Sequence, residues 1–212
     1  MKFIVTGGRG FIGSHFVEKC LNEGHKVVDI DLMTYAANES LPWDNHDNYK
    51  HIREDICNIS HLPFGDILVN FAAETHVDRS IDSVSPFIRT NVDGTRTLLE
   101  CIKNVKEREV KIIHVSTDEV YGSLGPSDPP FTEDTPLNPR NPYAATKASS
   151  DLLVGSFVNT FGISAVITRC SNNYGPNQFP EKLIPLMIIN ANEGKRLPLY
   201  GDGRQIRDWI HV

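Results

Sequence analysis

Phe3-Ile4-Val5-Thr6-Gly7-Gly8-Arg9-Gly10-Phe11-Ile12-Gly13 decides how the chain folds. Three apolar residues of strand type run into glycines at 7, 10 and 13. A helical pattern of Phe11, Ile12, Phe16, Val17, Cys20 and Leu21 follows, until Asn22-Glu23-Gly24 stops it. A strand, a glycine turn and a helix in that order aim backbone N–H groups and a helix N-terminus at one point, which favours a phosphate. Gly7 suits the tight turn, Gly10 lets the backbone approach a pyrophosphate, and Gly13 lets helix and sheet pack closely. Glycines also serve plain loops. The strand before and the helix after select the dinucleotide reading.

Working outward, Lys26-Val27-Val28-Asp29-Ile30-Asp31 is a second strand closed by Asp31. An acid about 20 residues past such glycines suits the ribose hydroxyls of an adenosine. It would repel a 2'-phosphate, so NAD is expected over NADP. Arg9, a cation inside the turn, keeps NADP open. Residues 33–49 are polar and read as an excursion without firm structure. His51-Ile52-Arg53 is a third strand whose exit, Glu54-Asp55-Ile56, suits the edge of an adenine pocket. Asp66–Phe71 is a fourth, apolar enough to be buried on both faces. The small and polar residues Ala72 to Ser80 follow it. His76 lies there and is left unassigned.

Ser85 to Lys106 reads as one long helix, with Gly94 a weak point in it. Lys111–Val115 is expected as the central strand. A proline-rich stretch from Pro126 to Pro142 is expected to cover the cleft. A helix then runs from Asn141-Pro142 to Phe161-Gly162, and Ser164–Arg169 is a sixth strand. Strands alternating with helices specify an α/β fold, a Rossmann-type doubly wound parallel sheet. Residues 1–170 are expected to form that domain. Residues 171–212 are expected to begin a partial, truncated C-terminal lobe, with a helix to about Asn192 and a small strand at Leu197–Tyr200.

The 212 residues are 40% hydrophobic and 23% charged, with a net charge of -6 and a pI near 5.7. That balance gives no reason to expect nucleic acid or an anionic membrane as partner. No apolar run approaches the ~20 residues of a membrane-spanning helix. The N-terminus enters a strand directly, without a signal peptide's apolar stretch. The four cysteines are scattered with no Cys-x-x-Cys pair, so reduced thiols and no metal site are expected, in a cytoplasmic protein.

The chemistry gathers at two places. His114-Val-Ser-Thr-Asp-Glu-Val-Tyr-Gly122 puts Thr117, Asp118 and Glu119 side by side where a buried strand ends. Alone, this is an ordinary strand exit with a capped turn and a solvated Glu119. Tyr143 and Lys147 are four apart, hence neighbours on one helix face. An ammonium beside a phenol favours the phenolate, and such a tyrosine can take a proton from an alcohol as a nicotinamide takes hydride. With the glycine turn, Asp31 and Thr117 at compatible places, the set becomes specific.

The glycine turn, Asp31, Asn70-Phe71-Ala72-Ala73, Ser116-Thr117 and Tyr143…Lys147 resemble the extended short-chain dehydrogenase/reductases acting on nucleotide sugars. Thr117-Asp118-Glu119-Val120-Tyr121-Gly122, Glu74 to Ser80, Asn172 to Pro176, Phe179 to Pro185 and Arg207-Asp208-Trp209 are similar to the dTDP-glucose 4,6-dehydratase family within them. The resemblance implies that Tyr143, tuned by Lys147 and aided by Thr117, deprotonates the 4-hydroxyl of a nucleotide sugar, dTDP-glucose above others. Glu119 would then remove the C5 proton, and Asp118 would protonate the departing 6-hydroxyl. It implies NAD contacts at Gly7, Gly10, Phe11, Ile12, Gly13, Asp31, Leu32, Thr34, Asp55, Ile56, Phe71, Ala72, Ala73, Glu74, Thr75, Thr90, Tyr143, Lys147 and Asn173. Substrate contacts are implied at Thr75, Thr117, Asn172, Lys182, Leu183, Pro198, Leu199, Tyr200 and Arg207. Residues 171–212 would then open an incomplete sugar-nucleotide domain, and the helices near 85–106 and 143–161 would pair in a homodimer. An epimerase or decarboxylase of the same superfamily, and a non-catalytic dinucleotide-binding module, remain as alternatives.

Overall fold

The computed structural model describes residues 1–212. Strand β1 (Lys2–Thr6) leads through the glycine turn into helix α1 (Phe11–Asn22), then β2 (Lys26–Asp31) and β3 (Tyr49–Arg53). After β4 (Ile67–Asn70) come the short helices α2 (Val77–Asp82) and α3 (Ser85–Phe87), a π-helical segment at Ile88–Gly94 and α4 (Thr95–Asn104). Strand β5 (Lys111–Thr117) ends in a 3-10 turn at Asp118–Tyr121. Then follow α5 (Pro142–Phe161), β6 (Ala165–Cys170), β7 (Asn172–Tyr174), α6 (Leu183–Asn192) and β8 (Trp209–His211).

The first six strands make one parallel sheet in the order β3-β2-β1-β4-β5-β6. The chain winds outward from β1 to β3, then returns to place β4 on the other side of β1. That reversal is the switch point where open α/β sheets bind ligands, beyond the carboxyl ends of the strands. Alternate side chains of β1 face opposite cores. Ile4 joins Leu68, Ile112, Leu98, Leu99 and Val154 on the face covered by α4 and α5. Phe3 and Val5 join Val17, Leu21 and Val27 on the face covered by α1.

Several expectations are corrected. Strand β5 lies second from the edge rather than at the centre, because β6 adds only one strand beyond it. The 33–49 excursion is irregular, but it sends Leu41 and Trp43 into the α1-side core. Leu197–Tyr200 is not a strand: it has no neighbour to pair with, and β7 pairs instead with β8 across a gap of more than thirty residues. The proline-rich stretch does not border the cleft. Its Phe131 and Leu137 pack behind the 3-10 turn, against Val120, Tyr121 and Ala148.

The single long helix expected from Ser85 runs without interruption to Asn104, two residues short of Lys106. Its middle is widened into the π segment, a form that often marks functional places. Within it Asn91 turns inward. Its Oδ1 accepts from Glu74 N–H at 2.9 Å, and its Nδ2 donates to Glu74 O at 3.0 Å and to Thr146 Oγ1 at 2.9 Å. Gly94 is a point of close approach rather than of weakness, since a Cβ there would sit 2.5 Å from Ile56 Cδ1. No helix is long and apolar enough to cross a membrane.

Candidate active site

A cavity of about 420 Å³ opens at the switch point, bordered by the glycine turn, the exits of β2, β4 and β5, the first turns of α5, and residues 170–183. All of the cofactor positions expected from the sequence, Gly7 through Asn173, border it. Gly7 has φ of 72°, and a Cβ there would lie 2.7 Å from Ala72 N; a Cβ on Gly13 would collide with the Gly7 carbonyl. The strand-to-helix turn therefore closes only without side chains. Helix α1 starts at Gly10 with no capping side chain, which leaves first-turn N–H groups for an anion. Asp31 is nearly buried, and its two oxygens accept from Arg9 N–H at 3.0 Å and Met33 N–H at 2.8 Å. It both holds the turn and presents a carboxylate to the cavity. These features fit a dinucleotide.

Arg9 is not the free cation expected. It is 3% exposed, donating from Nε to Asn38 O at 2.9 Å, from Nη2 to Glu39 O at 2.8 Å, and pairing with Asp44. The reason is the excursion at 33–49, which wraps around it. With its donors taken, Arg9 offers nothing to a 2'-phosphate. Beneath the turn sits Asp29, which sequence reading passed over. It accepts from Gly8 N–H and Tyr49 Oη, each at 2.9 Å, and burial, reinforced by Asp31, pushes its pKa up to about 7. The available signal was a charge inside the apolar run Val27–Ile30.

At the adenine-side edge, Asp55 pairs with Arg89 at 2.6 Å. Burial opposes its ionisation, but the Cys57 N–H and Arg89 outweigh burial and hold the Asp55 carboxyl below its usual range.

The other end of the cavity gathers Thr117, Glu119, Tyr143 and Lys147. Asn141 caps α5 by accepting from Ala144 N–H at 2.7 Å, so Tyr143 and Lys147 occupy the first two turns. Lys147 Nζ donates to Val115 O at 2.8 Å, and burial lowers its pKa to about 8. Tyr143 departs from expectation. Burial above all, then Glu119, raises its pKa, and the Thr117 hydroxyl opposes this only in part. Lys147, whose own charge burial disfavours, does not by itself offset this.

Asp118 and Glu119 differ in setting. Burial raises the Asp118 pKa, with Glu119 adding to it and a hydrogen bond from Thr117 Oγ1 at 3.2 Å opposing. Its side chain stays outside the cavity lining. Glu119 borders the cavity, and its Oε2 accepts from Asn141 Nδ2 at 2.9 Å. The turn is also fastened at its far end, where Arg169 Nη1 donates to Tyr121 Oη at 2.8 Å and Arg169 Nε pairs with Asp151 Oδ2 at 2.9 Å.

On the substrate side, Thr75, Asn172, Lys182 and Leu183 border the cavity, and Lys182 Nζ donates to Thr75 O at 3.0 Å. Pro198, Leu199, Tyr200 and Arg207 do not. Leu199 is 74% exposed, and Arg207 donates to the carbonyl of its neighbour Ile206. These four lie on an irregular segment that no other element covers. Glu181 was missed: it accepts from Tyr35 Oη at 3.0 Å and pairs with Arg79 at 3.3 Å, joining two loops and α2 at the cavity mouth. His76, unassigned from sequence, caps α2.

Sheet order, glycine turn, Asp31 and the Thr117–Tyr143–Lys147 set define a dinucleotide-binding domain of the short-chain dehydrogenase/reductase type. The GDP-mannose 4,6 dehydratase family model matches residues 4–212. The dTDP-glucose 4,6-dehydratases of Neisseria meningitidis and Haemophilus influenzae are 48% and 47% identical, each over 100% of this chain and over 64% and 68% of their own lengths. The chain belongs to this nucleotide-sugar 4,6-dehydratase family, alongside the dTDP-glucose enzymes. It spans about two thirds of the length of these relatives. Among solved structures, the dTDP-glucose 4,6-dehydratase DesIV of Streptomyces venezuelae, with NAD and TYD bound, superposes with a TM-score of 0.94 at 46% identity, over 100% of this chain and 68% of that one. The UDP-glucuronic acid 4-epimerase of Bacillus cereus, with NAD and its sugar nucleotide, gives 0.90 at 34% identity, over 100% and 69%.

Proposed function

We propose that the protein dehydrates a nucleoside-diphosphate glucose, dTDP-glucose above others, to the 4-keto-6-deoxy sugar with bound NAD. The observation that carries this reading is the adjacent pair Asp118 and Glu119 beside Tyr143, one carboxyl pushed toward its neutral form and the other facing the cavity. Two carboxyls with different environments suit one acid and one base.

NAD, held along Gly7–Gly13, Asp31 and Ala72–Ala73, would supply hydride acceptance from sugar C4 and its return to C6. The chain's own groups move the protons. Tyr143 Oη, whose ionisation the Thr117 hydroxyl favours, takes the 4-hydroxyl proton. Burial favours the neutral phenol, so this needs positive charge nearby, which Lys147 and oxidised NAD provide. The 4-keto group acidifies C5–H, and the Glu119 carboxylate removes that proton. Asp118, kept neutral, gives up its bond to Thr117 and protonates the 6-hydroxyl as it leaves. Thr75, Asn172, Lys182 and Leu183 contact the sugar nucleotide, with residues 171–212 the start of its domain. A cytoplasmic homodimer completes the reading. It would form through α4 and the neighbouring 85–94 segment together with α5, whose Ile88, Leu152 and Phe161 are exposed.

Incubation with dTDP-glucose and NAD, followed by NMR of the sugar, tests the proposal. A 4-keto-6-deoxy product is expected. A C4 epimer in its place overturns it and selects the epimerase reading, which the 34%-identical epimerase otherwise supports.

A further inference from the structure

Asn141 has both ends of its amide in use. Its Oδ1 accepts the Ala144 N–H at 2.7 Å and so caps α5, while its Nδ2 donates to Glu119 Oε2 at 2.9 Å. The orientation is fixed by chemistry, since the helix N–H needs an acceptor and the carboxylate needs a donor. Tyr143 lies two residues further along the same helix. Glu119 stands on the 3-10 turn, whose backbone is anchored through Tyr121, Arg169 and Asp151. Its carboxylate, however, has no other side-chain partner and forms no ion pair. One amide therefore sets the distance between the carboxylate and the helix that bears the phenol.

We propose that Asn141 is a positioning residue for the loss of water, holding Glu119 Oε2 so that Oε1 is the oxygen presented to the substrate. The proposal rests on the dehydratase reading above. In the step concerned, Oε1 takes the C5 proton, and the C–H electron pair becomes the C5–C6 double bond. The C6–O bond breaks, and the oxygen leaves as water with the Asp118 proton. A carboxylate free to swing would meet the C5 proton in fewer of its orientations, and misplacement by about 1 Å can lower a rate by roughly 100-fold.

A plain helix cap would serve as well with serine or aspartate, which are as good at this position as asparagine. Neither can donate to Glu119 as the amide does: serine is too short, and aspartate is a like charge. Asn141→Ser and Asn141→Asp therefore separate the two roles. Both are expected to unfold close to the wild-type temperature. With dTDP-glucose, turnover to the 4-keto-6-deoxy sugar should fall roughly 10- to 100-fold, further in the aspartate variant, while KM changes little. A substrate deuterated at C5 should show a larger isotope effect in both variants than in the wild type, because proton removal becomes the slow step. Asn141→Thr supplies the same cap should either variant fail to fold. If the wild type dehydrates the sugar and the variants match it in turnover and C5 isotope effect, the positioning role is overturned. If the wild type gives no dehydrated product, it is the dehydratase reading that fails.

Discussion

The two halves of the cleft are held in opposite ways. Around the glycine turn almost every polar atom has a partner: Arg9 is enclosed by Asn38, Glu39 and Asp44, Asp31 by two backbone N–H groups, and Asp29 by Gly8 and Tyr49. Across residues 195–207 the few side-chain bonds are local, as in Arg207 to Ile206 and Gln205 to Tyr200, and the apolar Leu199 and Ile206 are 74% and 89% exposed. Buried polar groups are tolerable only when paired, so the first region is specified by its partners. The second gains no such specification from this chain.

The contrast is sharpest at Arg9. Arg9→Ala should destabilise the protein by about 2 kcal/mol, because it removes a buried side chain that donates to Asp44 and to the Asn38 and Glu39 carbonyls. Urea denaturation measures this. A change of less than about 0.5 kcal/mol, the usual range for a surface substitution, would place Arg9 with the exposed charges. Preference for NAD over NADP should not change in that variant.

A smaller effect, dependent on pH, is expected beneath the turn. Asp29 has a folded-state pKa of about 7, against 3.8 for the ordinary carboxyl. Between those values the folded state binds more proton than the unfolded, so this group's contribution to stability falls as pH rises from 4 to 7. Asp29→Asn should flatten the stability profile over that window, read as denaturation midpoint against pH. An unchanged slope would count against a protonated Asp29. The least effect belongs to the exposed segment. Arg207→Ala should shift stability by less than about 0.5 kcal/mol and leave NAD affinity at the wild-type value in calorimetry. A large loss would show that 195–207 is held more firmly than its contacts imply.

The same division governs what the sequence disclosed. The glycine turn, Asp31, Thr117, Tyr143 and Lys147 were legible because strand, turn and helix patterns are local, and each sits at an element's end. Arg9's enclosure, Asp29's bond to Tyr49 and Asn141's bond to Glu119 were not, since their partners lie some twenty to thirty-five residues away. Leu197–Tyr200 failed as a strand because apolar composition cannot supply a neighbour. Tyr143 failed in its direction of shift because i,i+4 spacing places Lys147 near the phenol but does not show how deeply both groups are buried or that Glu119 stands beside them.

The widened turn at Ile88–Gly94 carries a consequence for variation in this chain. Each residue advances an α-helix by about 100°. Removing one residue from 88–94 would take up the widening, and residues inside the segment would shift about 100° round the helix axis. Asn91 would leave the main chain of Glu74 and the hydroxyl of Thr146, and the loop after β4 would lose its brace next door to Lys147. An irregularity that looks like a flaw in a helix thus turns Asn91 toward two walls of the cleft.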